Sequence, residues 1–199
     1  NPNDGTAFQL RLSSDGSLLY GENPPWNYMV TDPCIEINKW QHVAIVKESG
    51  DSYIYVNGEL KVFGTVNEAI TPSLLSIGGR IWNLDRFFCG DIDEVRIWSV
   101  ARTQTELAEN MDNYLTGSET GLMGYWKMNE GSEQTAYDET SNNYNFQLGT
   151  SSLADVNDPE WIPTDWPYGL FADFTADVTS GNAPLTVQFT DLSSSQATS

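Results

Sequence analysis

Tyr53-Ile54-Tyr55-Val56-Asn57-Gly58-Glu59-Leu60-Lys61-Val62 is the stretch that decides the fold. Asn57-Gly58 sits between two short runs rich in aromatic and branched residues, and a two-residue turn of this kind needs positive φ at both central positions. Asparagine and glycine tolerate that conformation, so the stretch predicts a tight β-hairpin. The same grammar runs outward from it. Upstream, Trp40 to Lys47 reads as the preceding strand and Ser49-Gly50-Asp51 as its turn. Earlier still, Phe8-Gln9-Leu10-Arg11-Leu12 alternates, Asp15-Gly16 turns, and Ser17-Leu18-Leu19-Tyr20 returns. Downstream, Leu74 to Ile77, Asp91 to Trp98 and Leu122 to Met128 read as further strands. Short alternating runs broken by turn residues at intervals of about ten predict an antiparallel two-sheet sandwich or a barrel.

One helix interrupts the strands. Thr103 can cap it, Glu106 three residues on completes a capping box, and Leu107, Ala108 and Met111 form a short apolar stripe. That helix is expected to cover one end of the sandwich. Asp138 to Asn145 is polar and asparagine-rich, hence a loop. Composition changes near residue 159, where Pro159, Pro163 and Pro167, with Trp161 and Trp166 between them, make a stiff connector. Ala172 to Ala176 and Leu185 to Thr190 then read as two strands of a second unit. Two strands do not make an independently stable β-domain, so this unit is expected to be truncated.

The 199-residue chain holds 28 acidic against 9 basic residues, a formal charge of −19. Nucleic acid and anionic membranes both require a basic footprint, which excludes them as partners. No run of eighteen apolar residues exists for a membrane span. The opening Asn1-Pro2-Asn3-Asp4-Gly5 has no charged-then-apolar leader, as expected of a fragment or a processed chain. Cys34 and Cys89, without CxxC spacing, suit a single disulfide in an oxidising compartment, with two buried free thiols as the alternative. His42 is the single histidine, so a zinc site is not expected.

An ordered series of motifs carries a family likeness. Trp40-Gln41-His42-Val43-Ala44, the Tyr53–Leu60 hairpin, Leu75-Ser76-Ile77-Gly78-Gly79, Gly90-Asp91-Ile92-Asp93-Glu94-Val95-Arg96-Ile97-Trp98 and Ala101-Arg102-Thr103 follow one another. Gly121-Leu122-Met123-Gly124-Tyr125-Trp126, with Asn129-Glu130-Gly131 and Asp138, completes it. Together they resemble the laminin-G-like, pentraxin-related jelly-roll family of the concanavalin A-like superfold, over about residues 6 to 162. The resemblance implies an all-β, antiparallel two-sheet jelly-roll sandwich with one short helix over residues 1–165. Such domains carry strands ahead of the Phe8 segment. Either those lie upstream in a parent protein, or the Gly121–Leu148 tract supplies the equivalent pairing. Residues 166–199 resemble the start of a polycystic-kidney-disease (PKD) repeat, an Ig-like β unit, through Ala172-Asp173-Phe174 and Gly181-Asn182-Ala183-Pro184-Leu185-Thr186-Val187-Gln188-Phe189-Thr190-Asp191. That pairing implies a modular protein that is extracellular or held at the cell surface, with flanking domains on the same polypeptide.

Laminarinase-type glycosidases share the superfold and use carboxylates alternating along one strand, a retaining pair standing about 5 Å apart. Asp91 and Asp93 alternate in this way, but Val95, Arg96 and Ile97 follow where a third carboxylate belongs. No catalytic residue is therefore assigned, and His42 in an apolar strand reads as packing rather than as a general base. The resemblance implies a structural calcium at Asp93 and Asp138, with Asn142 or Asn143, all hard oxygen donors. Ligand contacts are expected from loop aromatics Trp26, Tyr28, Trp82 and Phe87, which can stack on sugar faces, with Arg80 and Asn83 adding polar contacts. The expected role is a non-catalytic binding or adhesion module recognising a polysaccharide or a cell-surface protein. A structural spacer in a surface stalk is the alternative, and a laminarinase-like hydrolase is the weaker one.

Overall fold

The computed structural model describes residues 7–23, 27–66, 75–79, 87–149, 151–154, 156, 158–162, 174–176 and 189–191. The chain divides into two compact units, Asn1–Ile162 and Pro163–Ser199. In the first, β1 (Ala7–Leu12), β2 (Leu18–Asn23) and β3 (Asn27–Val30) form one antiparallel sheet in that order. A second antiparallel sheet runs β4 (Val43–Glu48), β5 (Asp51–Val56), β6 (Glu59–Thr65). Asn57 and Gly58 both take positive φ, 51° and 74°, as a tight hairpin requires.

These two sheets face each other. Leu18 and Tyr20 of β2, Met29 of β3, and Ile54 and Val56 of β5 are buried in one cluster with Val66, and Val43, Ile45 and Val62 pack against it. The alternation of strand side chains sets Ile54 and Val56 on the face toward the first sheet, while Tyr55, also buried, lies on the opposite face. Gly64 of β6 permits the close approach, since a Cβ there would lie 3.1 Å from Met29 Sδ.

Beyond this sandwich, β7 (Val95–Trp98) pairs antiparallel with β8 (Leu122–Trp126), joined by helix α1 (Gln104–Asn110). A short ribbon, β9 (Thr135–Ala136) with β10 (Phe146–Gln147), follows. Trp126, Ala136 and Leu148 make a second buried core, with Val95, Met128, Phe146 and Trp161 against it. The capping box is present: Thr103 Oγ1 accepts from Glu106 N at 3.2 Å, and Glu106 Oε2 accepts from Thr103 N at 2.8 Å. Ala108 of α1 lies where a Cβ on Gly58 would meet it at 2.9 Å, so the helix seats against the hairpin turn. The chain is thus mostly β, with antiparallel sheets and one short helix among the described residues, a jelly-roll sandwich. In the second unit, β11 (Phe174–Ala176) pairs antiparallel with β12 (Phe189–Asp191).

Four expectations are corrected. Residues 75–77 are not a strand. The strand expected from Trp40 begins at Val43; at His42 the main chain closes on the Asn57 turn instead, Asn57 N donating to His42 O and His42 N to the Asn57 side-chain oxygen. The strand expected from Asp91 begins only at Val95, because Glu94 adopts a left-handed φ of 53° that strand geometry does not allow. Cys34 and Cys89 are free thiols, not a disulfide. Cys34 packs against the first core, its Sγ 3.3 Å from Thr31 Oγ1, whereas Cys89 is exposed.

Candidate functional site

The Asn57-Gly58 hairpin places an aromatic platform on the outer face of the second sheet. Ile54, Val56 and Val62 point into the core, so Tyr53, Tyr55 and Phe63 point away from it. The register sets Tyr53 directly opposite Phe63. Their rings stack with centroids 6.2 Å apart and planes inclined by 20°, and Tyr55 extends the row at 6.5 Å from Tyr53. Phe63 is 67% exposed and Tyr53 is half-buried, whereas Tyr55 is buried, so the open part of the row is Phe63 with Tyr53 beside it. At one end of this face Asp51 opposes both Glu48 and Thr65, and Thr65 Oγ1 donates to Asp51 Oδ1 at 3.0 Å. Flat rings beside hydroxyl and carboxylate groups can stack on the C–H face of a sugar while bonding its hydroxyls.

The sequence-predicted ligand residues do not assemble into such a surface. Tyr28 lies on β3 with its neighbour Met29 in the core, which turns Tyr28 to the outer side of the first sheet. Phe87 is 63% exposed, with its ring against Gly79. Trp26, Arg80, Trp82 and Asn83 lie outside the described residues.

The acidic motif before β7 is bound into the fold. Glu94 and Arg96 form an ion pair at 2.5 Å with side chains 4% and 10% exposed. Tyr125 Oη donates to Glu94 Oε1 and Oε2, both at 2.9 Å, and Arg96 donates to the carbonyls of Asn110 and Asn113. Glu94 is therefore held as a charged acceptor that ties β7 to β8 and to the end of α1. Burial, with the neighbouring charges of Glu94 and Glu130, pushes the Asp93 carboxyl up to about 6, although the Glu94 N–H bonds it. Asp91 is exposed, and the irregular backbone of residues 91–94 removes the strand alternation that a glycosidase pair would use. Burial and Arg96 lower the His42 pKa, favouring the neutral ring.

The expected calcium ligands do not fit a cation. Asp138 is 7% exposed and its two carboxylate oxygens take four donors. Tyr125 N at 3.0 Å and Thr140 N at 2.9 Å reach Oδ1, while Thr140 Oγ1 at 2.8 Å and Tyr144 N at 2.9 Å reach Oδ2. Those donors occupy about all the lone-pair directions a carboxylate has. Burial pushes the Asp138 pKa up, but the bonds from Thr140, Tyr125 and Tyr144 outweigh it and the net shift is downward. Asn142 turns its amide N–H₂ to Met123 O at 2.9 Å, and Asn143 donates to Ser141 O. Among the described residues no three His, Cys, Asp or Glu side chains stand together as a metal would need.

Among the described residues no helix is long and apolar enough to cross a membrane. The family described as the concanavalin A-like lectin/glucanases superfamily matches residues 2–108, just over half of the chain. Comparison with curated proteins finds no match. Among solved structures, a protein of Bacteroides ovatus ATCC 8483, named as a candidate carbohydrate-binding protein, is 26% identical with a TM-score of 0.51. The likeness covers 70% of this chain and 46% of that one, so the chain spans less than half of that protein. An S-layer domain-containing protein from Clostridium thermocellum ATCC 27405 is 20% identical with a TM-score of 0.36, over 55% of this chain and 58% of that one.

Proposed function

This chain belongs to the concanavalin A-like lectin/glucanases superfamily, and on that footing we propose that it is a non-catalytic glycan-binding module of a larger extracellular or cell-surface protein. The observation that carries the reading is the stacked Tyr53–Phe63 pair, Phe63 exposed and Tyr53 half-buried, with Asp51 and Thr65 beside it. An aromatic face that the core does not need, rimmed by groups that bond hydroxyls, suits a polysaccharide. The Bacteroides ovatus likeness supports the same class of ligand. Binding without turnover is supported by Glu94, whose carboxylate is taken up by Arg96 and Tyr125 rather than presented to a substrate. The second unit is read as the opening of a PKD-like domain, which suits a modular surface protein; this rests on its sequence motifs together with the β11–β12 pairing.

Affinity electrophoresis of the 199-residue chain in gels holding neutral polysaccharides tests the reading. Retardation without sugar release is expected. Phe63→Ala, at an exposed position, should weaken retention about tenfold, the equivalent of one aromatic contact of about 1.4 kcal/mol, with little change in Tm. Retention unchanged in Phe63→Ala removes the platform from the mechanism. Released sugar would restore the glucanase reading, and no retention on any gel would favour a spacer or a protein ligand.

A further inference from the structure

We propose that the cleft beside the β9–β10 ribbon is a second saccharide subsite, taking a neutral, hydroxyl-rich glycan. The cleft has a volume of about 580 Å³, within the range of small-ligand sites. Its lining includes Glu133, Gln134, Thr135, Asn145, Phe146 and Gln147. Two amides and a hydroxyl are well placed for this ligand. Thr135 and Gln147 stand directly opposite each other on the ladder, so their side chains leave the ribbon on one face, close enough to bond neighbouring hydroxyls. Gln134 Oε1 is buried and has no hydrogen-bond partner among the described residues. A buried acceptor without a donor is destabilising, and turning the Gln134 side chain toward the cleft would let a sugar hydroxyl supply the donor.

The ribbon is fixed from its other face, toward the second core. Phe146 packs its ring on Trp126 of the second core, centroids 4.5 Å apart and planes inclined by 51°. The wall is braced further where Trp161 Nε1 donates to Glu133 O at 2.9 Å and Tyr137 Oη donates to Glu133 Oε2 at 3.1 Å. The seven lining residues, Ser152 being the last, include one carboxylate and no cation, which disfavours an anionic sugar. None of them belongs to the aromatic platform, so the subsite stands independently of it.

Titrating the 199-residue chain with cellohexaose, laminarihexaose, xylohexaose and mannohexaose, followed by calorimetry and amide NMR, tests the proposal. At least one hexasaccharide should shift the Thr135 and Gln147 amides. The double variant Thr135→Val, Gln147→Ala should weaken that binding at least tenfold at unchanged Tm, and Phe63→Ala should leave it intact. Gln134→Leu, which removes the orphan acceptor while keeping the side chain's bulk, should weaken it as well. No shift at these amides with any of the four sugars overturns the subsite, as does full affinity in the double variant. Cleft binding that persists while Phe63→Ala has no effect anywhere would sink the platform and leave the subsite standing.

Discussion

Asp138→Ala tests the structural account most sharply, because one carboxylate joins three segments that are separate in sequence. Its oxygens take the main-chain N–H of Tyr125 in β8, that of Thr140 in the following loop, and that of Tyr144 ahead of β10, with the Thr140 hydroxyl as a fourth donor. Hydrogen bonds to a charged acceptor contribute about 1.5–3 kcal/mol each, and a simple sum over four donors would overstate the loss. Residues 141–145 are exposed, so the Tyr144 N–H can turn to water once the carboxylate is gone, whereas Thr140 is buried. Tyr125 N sits in a buried strand and cannot. Three buried donors that lose their acceptor, partly offset by local relaxation, plus one that rehydrates give a loss of about 4 kcal/mol. For a chain of this size that is a fall in Tm of about 8–16 °C. Asp138→Asn keeps one acceptor and turns N–H₂ toward Tyr144 N, so about half that loss is expected. Urea unfolding followed by tryptophan fluorescence reads the change directly, since Trp126 Nε1 donates to Tyr144 O in the same region. The folded pKa lies below the unfolded value of about 3.9, so the stabilisation is complete above about pH 5 and is lost as pH falls through the folded value. The gap between wild type and Asp138→Ala should therefore narrow in acid. A loss under about 1 kcal/mol, or a calcium-dependent Tm that Asp138→Ala abolishes, would refute the reasoning and restore this carboxylate as a metal ligand.

Asp93 carries the opposite sign: its folded pKa of about 6 is raised, so the stability it contributes is present below about pH 4 and is lost as pH rises through 6. Asp93→Asn keeps an acceptor for the Glu94 N–H and should raise Tm at pH 7.5 relative to pH 4.5, read by thermal scans at both values. Glu94→Gln breaks a buried ion pair and weakens the Tyr125 acceptor, for an expected loss of about 3–5 kcal/mol measured by urea unfolding. Thiol titration in denaturant without reductant should find both Cys34 and Cys89 reactive, and finding neither would establish the disulfide instead.

The hairpins were legible because their turns are local chemistry. Asn57-Gly58 and the Asp15-Gly16 turn carry their geometry in adjacent residues, and the capping box joins Thr103 to Glu106 within one turn of helix. Boundaries set from elsewhere in the chain were not legible. The late start of β7 depends on Glu94 bending to meet Arg96 and Tyr125, the latter 31 positions away. The motif Asp91-Ile92-Asp93-Glu94 looked like an alternating strand because hydrophobic pattern alone does not reveal a left-handed residue.

The candidate site escaped for a related reason. Loop aromatics drew attention because loops carry function, yet the platform is made of strand residues whose neighbours are core. Tyr53 and Tyr55 were visible as alternate positions in a strand, and the signal that could have singled them out was the hairpin register. Counting back from Asn57-Gly58, with allowance for the bulge after Ile54, sets Tyr53 opposite Phe63. Alternation then forces one of two outcomes: either Ile54, Val56 and Val62 are inside and the three rings outside, or the reverse. Packing against Leu18, Tyr20 and Met29 selects the first, since the branched chains fill the narrow space between the sheets. Phe63 is therefore left exposed and Tyr53 half-buried by the same packing that closes the core, while Tyr55 on that face is itself buried, and a ligand that covers Phe63 and Tyr53 need not disturb the core.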